Sequence, residues 1–453
     1  MRLIKELKVF FEQGHQRTVR AKRNIISAVV FKAIGLIAGY IYFAISLSYL
    51  GEVKFGIFLV IVSIVDWFAE LDIGIGHGLR NRMGEAIADR NYKLARGYIS
   101  TAYFVVGSIF SIVALLVIAI SYFLPWSEWL QADPSLNHEI TVLVMFAFAA
   151  FAIRFIASLV FQIFYALQRI AIVDLFSMLT KLLFLVIIIG LVFLTEESLI
   201  LFGAAKTFTF ALVPVAVGFY YFRNDFKRFK PSLQLVRKSH FNSLFSLGLQ
   251  FFLIKISMIV IHQTNNFLIA RYVSLESVPH YEAAYKYLSI FLLLFVIITN
   301  QLWAANVEAY RKGELNWMKK TVRGTFKIWL ATIGLSIIMI FISPLVYKVW
   351  LQDKIDISYL LTVVVALSIS ITTWVNMFNL VLNGTGKIRM QMYAWIFASM
   401  VNIPISIFLA TTLELGTIGI VLGTVISMIP LAILSPIQVR KILVSADKGI
   451  WAK

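Results

Sequence analysis

The sequence predicts an all-α integral membrane protein of about twelve transmembrane helices, on three observations. Hydrophobic residues make up 60% of its 453 residues and charged ones only 14%, against roughly 45–50% and about 25% in soluble domains. Long apolar runs recur from Asn24 to the C-terminus, each supplying the ~20 residues that a hydrocarbon core of ~30 Å demands. Runs this long and continuous can pair their own backbone in lipid only as helices, not as barrel strands.

The spans are expected near 20–49, 53–75, 97–124, 139–165, 170–194, 198–222, 242–271, 279–303, 325–350, 357–382, 388–411 and 415–438. Their connections divide into two sets. The N-terminal tail, the even-numbered loops and the C-terminal tail hold 31 of the 41 Lys and Arg; the other loops hold only Lys54, Arg271, Lys348 and Lys354. The positive-inside rule then places both termini in the cytoplasm and requires an even number of spans. The expected location is the bacterial inner (plasma) membrane. The same distribution accounts for a net charge of +18 without a nucleic-acid partner.

Residues 1–23 are basic and amphipathic and lack the pattern of a cleavable signal. Met1–Gln16 reads either as a surface helix, with Leu3, Leu7, Phe10 and Phe11 dipping into lipid, or as a frayed basic tail. There is no cysteine, so no disulfide can form. Every loop is short, the longest outer one running from about Pro125 to His138, so no soluble domain can be cut from the chain. The sequence contains no metal-ligand cluster, nucleophile triad or phosphate-binding glycine loop, and neither an enzyme nor a cofactor is expected.

The chain also resembles itself. An offset of 223 residues aligns Lys32 with Lys255, Tyr49 with Tyr272, and Glu85-Ala86 with Glu308-Ala309; a small gap brings Arg96-Gly97 onto Arg323-Gly324. This predicts two parallel six-helix bundles, residues 1–222 and 242–453, joined by a basic cytoplasmic linker at 223–241. Pseudo-two-fold symmetry about the membrane normal follows from such a repeat.

Short motifs carry a family resemblance along nearly the whole chain. Leu50-Gly51…Phe55-Gly56 opens span two, Asp72-Ile73-Gly74 closes it, Arg80 and Arg82 follow, and Asn91-Tyr92-Lys93 lies beyond. In the second half stand Asn383-Gly384-Thr385-Gly386-Lys387 and Gly416…Gly419…Gly423-Thr424. With these the chain resembles the Wzx-type O-antigen and exopolysaccharide flippases of the MOP superfamily, relatives of the MATE exporters. The resemblance implies a monomeric alternating-access carrier whose cargo is an undecaprenyl-pyrophosphate-linked oligosaccharide, moved from the cytoplasmic to the outer leaflet. The bilayer and the glycan-assembly machinery are its implied partners.

Charges within the spans identify the candidate site, because an ionised group at mid-depth costs at least ~2.5–3.5 kcal/mol and faces an interior or a wet cavity. Lys32, Arg154, Lys181, Lys206, Lys255 and Lys286 are the bases; Asp66, Glu70, Asp72 and Asp174 are the acids. Lys32 shares a stripe with Ala28, Gly35 and Gly39, and Lys255 one with Gly248, His262 and Asn266. Each Lys lies ~18 Å along its helix, too deep to snorkel easily. Arg154, Lys32, Lys255, Lys286 and Lys181 are the expected pyrophosphate ligands, since a pyrophosphate wants several cationic donors.

The competing structural roles are local pairs: Lys286 with Glu282, Lys181 with Asp174, and Lys32 with Asp66 or Glu70. Lys206 reads as a snorkelling residue. Asp66, Glu70, Asp174 and His262 are expected to serve as counter-ions or to couple transport to H⁺ or Na⁺. Ser368, Thr372, Asn376, Asn379 and Asn383 line one face of span ten. Thr372, Asn376, Asn379 and Asn383 are the expected sugar contacts, because amides both donate and accept; the alternative is helix–helix hydrogen bonding. Pro214, Pro404 and Pro430 are expected kinks.

Three rival functions remain. A MATE-like cation or drug antiporter needs unpaired acids, whereas the intramembrane charges here favour bases. A lipid II flippase carries a similar cargo but has fourteen spans. A membrane glycan polymerase or ligase presents a large outer loop, which is missing here.

Overall fold

The computed structural model describes residues 16–70, 75–244, 249–445 and 448–452, and every described element is helical. The tail before Gln16, Asp72 and Gly74 therefore lie outside the described residues. Among those described, nine helices are long and apolar enough to cross a membrane, ten if one bent pair counts as a span. The chain is a multi-pass membrane protein.

The principal helices are α1 Gln16–Glu70, α2 Ile75–Ala88, α3 Tyr92–Ser121, α4 Asn137–Ala166, α5 Ile170–Leu194, α6 Leu199–Arg223, α7 Leu249–Gln263, α8 Asn265–Tyr272, α9 Ser277–Arg311, α10 Leu315–Leu351, α11 Tyr359–Thr385, α12 Arg389–Ile407, α13 Gly416–Ser427 and α14 Ile429–Leu443. Several boundaries follow from the motif residues. Gly51 breaks α1 with φ 67° and ψ 177°, a conformation that side chains disfavour. Asn91 caps α3 by accepting the N–H of Leu94 at 3.0 Å. Gly386 closes α11 at φ 74°, its N–H donating to the Leu382 carbonyl. Pro430 stands in the first turn of α14, just after the break from α13 at Met428. Pro214 lies within α6, and Pro404 lies within α12 ahead of a π-helical turn at Phe408–Thr412.

The chain forms two compact units. The first comprises 1–51, 72–126 and 135–246; the second comprises 52–71, 127–134 and 247–453. This grouping differs from the boundaries read off the sequence, because span two belongs with the C-terminal helices. Hydropathy marks a span without naming its packing partners, and here local contacts name them. The Gly56 position meets the Leu275 carbonyl with no room for a Cβ, Trp67 donates its indole N–H to the Gln263 carbonyl at 2.9 Å, and Glu52 lies 3.1 Å from His280.

Aromatic packing dominates the first unit. Phe148, Phe164, Phe184, Phe202, Phe226 and Phe229 are fully buried there, with Phe164 4.8 Å from Tyr221 and 4.9 Å from Phe226 between ring centres. The stretch read as a linker is part of this unit. Ser232 donates its N–H to Ser100 Oγ, Arg237 donates its N–H to Thr101 Oγ1, and Arg96 reaches the Lys230 carbonyl at 2.7 Å. His240 lies against Gly97, and burial, then Arg237, pushes its imidazole below the usual range.

The second unit buries Trp395, Phe291 and Phe295 and packs Trp329 against Trp374, ring centres 4.8 Å apart and planes tilted by 57°. Here α13 runs against the end of α12. A Cβ on Gly419 would stand 2.6 Å from the Ala410 nitrogen, and one on Gly423 2.6 Å from the Ser406 Cα.

Candidate functional site

The intramembrane bases of the first unit gather along one arm of α1. Lys32 and Gly35 are one turn apart, and Tyr42 lies ten residues above Lys32, ~15 Å along the axis. Asp174 of α5 pairs with Lys32 at 3.8 Å. Two turns along α5, Lys181 lies over Gly35, its Cδ 3.5 Å and its Nζ 3.8 Å from where a Cβ would stand. Lys181 thus packs within van der Waals reach of the Gly35 position. Further up, Lys206 of α6 points its ammonium over Tyr42 at 3.7 Å, and over Phe184 and Phe210 at 4.3 Å each. Arg154 of α4 is exposed, with its guanidinium 6.0 Å from the Phe210 ring centre.

This arrangement corrects several expected pairings. Asp174 serves Lys32 rather than Lys181, because the partner approaches from another helix instead of from two turns away on the same one. Glu70 pairs with Lys255, not with Lys32. Lys206 is caged by three aromatic rings, a cation–π setting, rather than reaching outward. Among the described residues no carboxylate lies within 4.0 Å of Lys181 or Arg154. Along this row Asp174 is taken by Lys32, while Lys181 and Arg154 have no such carboxylate.

The second unit holds the remaining candidates. Lys255 and Glu70 form an ion pair with both side chains about half exposed. Lys255→Met alone leaves Glu70 without its partner and is expected to lower the melting temperature in detergent. The double variant Lys255→Met/Glu70→Gln is expected to recover most of that loss, since removing both charges avoids an orphan. A double variant no more stable than the single one would assign Lys255 a different role.

Glu282 accepts a hydrogen bond from Asn266, while Lys286 on the same helix is half-buried. Asp66 is also half-buried. His262, Ser368 and Thr372 line a small cavity of about 10 Å³ with Asn265, Tyr281, Tyr285 and Thr424, at the 42° bend between α7 and α8. Such a volume holds one water molecule. The Nε2 of His262 has no hydrogen-bond partner among the described residues.

The polar row of α11 packs within this unit. Thr372 donates to the Ser368 carbonyl and lies 3.7 Å from Met428 Sδ, Asn379 is buried, and Asn376 and Asn383 are half-buried. A second polar seam escaped the sequence reading. Thr424 donates to Asn265 Oδ1 at 3.2 Å, Asn265 donates to the Tyr281 hydroxyl at 3.0 Å, and Asn402 donates to Ser427 Oγ at 3.1 Å. Its signal was the Gly423-Thr424 pair, whose glycine permits the close approach that aligns these groups.

The profile of the family described as "Polysaccharide biosynthesis protein" matches residues 21–303. The chain belongs to that family. A Salmonella typhi relative described as "Putative O-antigen transporter" is 22% identical over 395 residues, covering 82% of this chain and 86% of its own. The inward-facing structure of a multidrug resistance MATE family transporter of the MOP superfamily superposes with a TM-score of 0.74 at 15% identity, covering 92% of this chain and 98% of that one. The eukaryotic MATE transporter AtDTX14 gives 0.63 at 17% identity over 95% and 97% of the two chains. This member of the polysaccharide biosynthesis family has the MATE fold, and the proteins it is similar to are described as transporters, not enzymes.

Proposed function

We propose that the chain is a carrier of O-antigen-type lipid-linked oligosaccharide, moving an undecaprenyl-pyrophosphate-linked glycan from the cytoplasmic to the outer leaflet by alternating access. The observation that carries this reading is that Lys181 and Arg154 have no carboxylate within 4.0 Å among the described residues, on a row where Asp174 is taken by Lys32. Lys181 and Arg154 therefore suit a pyrophosphate, whose charge-assisted hydrogen bonds are stronger than neutral ones. The family and the O-antigen relative support the same cargo class.

Counting the two arms of α1 separately, α7 and α8 as one bent span and α9 as another gives twelve spans, with both termini cytoplasmic by the distribution of basic loops. The internal repeat supports two parallel halves. Sugar contacts from Thr372, Asn376, Asn379 and Asn383 rest on amide chemistry. Asn376, a half-buried amide, has the surface to offer.

The test is reconstitution into vesicles with a fluorescent polyprenyl-pyrophosphate glycan whose outer-leaflet fraction is read by a membrane-impermeant quencher. Wild type is expected to redistribute the probe, and Arg154→Ala to slow it by about tenfold, the loss of one charged contact. An unslowed Arg154→Ala protein would sink the anionic-cargo assignment. The MATE fold favours a second reading, export of a cationic drug. That cargo wants free acids, whereas Asp174 and Glu70 are both engaged with lysines.

A further inference from the structure

We infer that a groove between α5 and α6 receives the isoprenoid chain of the cargo lipid while its head group awaits loading. This rests on the carrier reading above and adds to it a place for the tail. The groove has a volume of about 630 Å³ and is lined by Phe176, Leu179, Leu183 and Val186 of α5 and by Leu212, Ala216 and Tyr220 of α6, among others. Its wall is almost wholly apolar. Val186 is 67% exposed, Leu212 59% and Tyr220 60%, so the groove is open along its side.

Three features select a lipid tail with an anionic head over a bare hydrophobic contact. The first is length. Phe176 to Val186 spans ten residues, ~15 Å of helix, which is half of the ~30 Å hydrocarbon thickness and so one leaflet deep. The second is charge at one end. Phe176, Leu179, Leu183 and Val186 repeat at helical spacing, and seven residues before Phe176 the same face begins with Arg169.

Arg169 pairs with Asp225 across the mouth at 3.8 Å, yet its side chain stays 46% exposed. Arg223, in the last turn of the same α6, stacks on Phe219 at 3.8 Å. A phosphate at this mouth meets the half-exposed Arg169 guanidinium, and in the proposed orientation the mouth faces the cytoplasm, where the cargo starts. The third is shape. One slot between two helices takes one chain, and the small side chains Ala216 and Val217, flanked by Leu179, Leu183 and Leu212, leave recesses for methyl branches.

The groove also uses a different face of α5 from the cationic row. Asp174 and Lys181 lie two turns apart on one side, while Phe176 and Leu183 lie on the opposite side, ~200° away at 100° per residue. The helix can therefore hold a tail on its outer face while presenting charge on its inner one.

The test uses full-length protein in nanodiscs containing undecaprenyl phosphate with a diazirine near the far end of its chain. Peptide mapping after irradiation is expected to place label around Val186 and Leu212. Ala216→Trp, at an exposed position where added bulk meets lipid rather than core, should cut labelling by about tenfold with an unchanged melting temperature. Arg169→Gln should weaken it by a smaller factor. Equal labelling by a diazirine-bearing phosphatidylglycerol would make the groove an ordinary lipid contact and overturn the proposal, as would wild-type labelling of Ala216→Trp.

The glycan translocation assay on the same wild-type preparation separates the two readings. Groove labelling without translocation supports the groove and refutes the carrier. Translocation without groove labelling refutes the groove alone.

Discussion

Replacing Lys181 by Met is expected to slow translocation of the pyrophosphate-linked probe by about 10- to 100-fold, the range set by losing a hydrogen bond to a charged group worth ~1.5–3 kcal/mol. The fold should survive. Lys181 has no carboxylate within 4.0 Å among the described residues, so its removal strands no charge. Methionine matches the reach of its stem across Gly35. Lys32→Met is the informative contrast, because it leaves Asp174 without the ammonium 3.8 Å away and should cost both stability and transport. Parallel measurement of initial rate and melting temperature separates the two. A Lys181→Met protein with wild-type rate would remove the cationic row from the transport path.

The largest structural effect is expected at Gly419. Its Cα faces the backbone where α12 gives way to the π-helical turn, and an added Cβ would stand 2.6 Å from the Ala410 nitrogen and 2.7 Å from the Leu409 carbonyl carbon. Backbone cannot swing aside as a long side chain can, so even Gly419→Ala forces α13 away from α12. Overpacking of this kind costs ~1–3 kcal/mol. The shift also pulls Thr424 from Asn265 and Ser427 from Asn402, leaving buried polar groups unpaired at a further ~1–3 kcal/mol each.

Thermal unfolding in detergent should show a melting temperature several degrees lower for Gly419→Ala and a poorly folded protein for Gly419→Val. A Gly419→Ala protein that melts with wild type would mean that α13 does not depend on this contact.

The helices were legible because apolar runs of membrane length leave the backbone little choice, whereas the break at Gly51 and the caps at Asn91 and Gly386, motif residues in the sequence, became apparent only in the structure. The Lys206 cage was not legible. Tyr42, Phe184 and Phe210 come from three helices, and nothing in the local sequence signals that three rings meet one ammonium. Reading Asp174 as the mate of Lys181 failed for a related reason: same-helix spacing is visible in sequence, whereas a carboxylate turned toward another helix is not. The Lys255–Glu70 pair depends on span two packing with the C-terminal helices, and hydropathy carries no information about that choice. The glycines of the second half could be located beforehand, but the backbone each one faces became apparent only in three dimensions.

The crossing of the chain at Gly51 bears on how this protein can be divided. Because the chain leaves the first unit at residue 51 and returns to it at 72, the two halves of the gene are not interchangeable modules. A chimera that swaps residues 1–222 for those of a relative would import a foreign span two into the resident C-terminal unit, against Leu275, Gln263 and Lys255. Recombination that preserves the native contacts must carry residues 52–71 and 127–134 together with the C-terminal half, even though they are encoded far upstream of it.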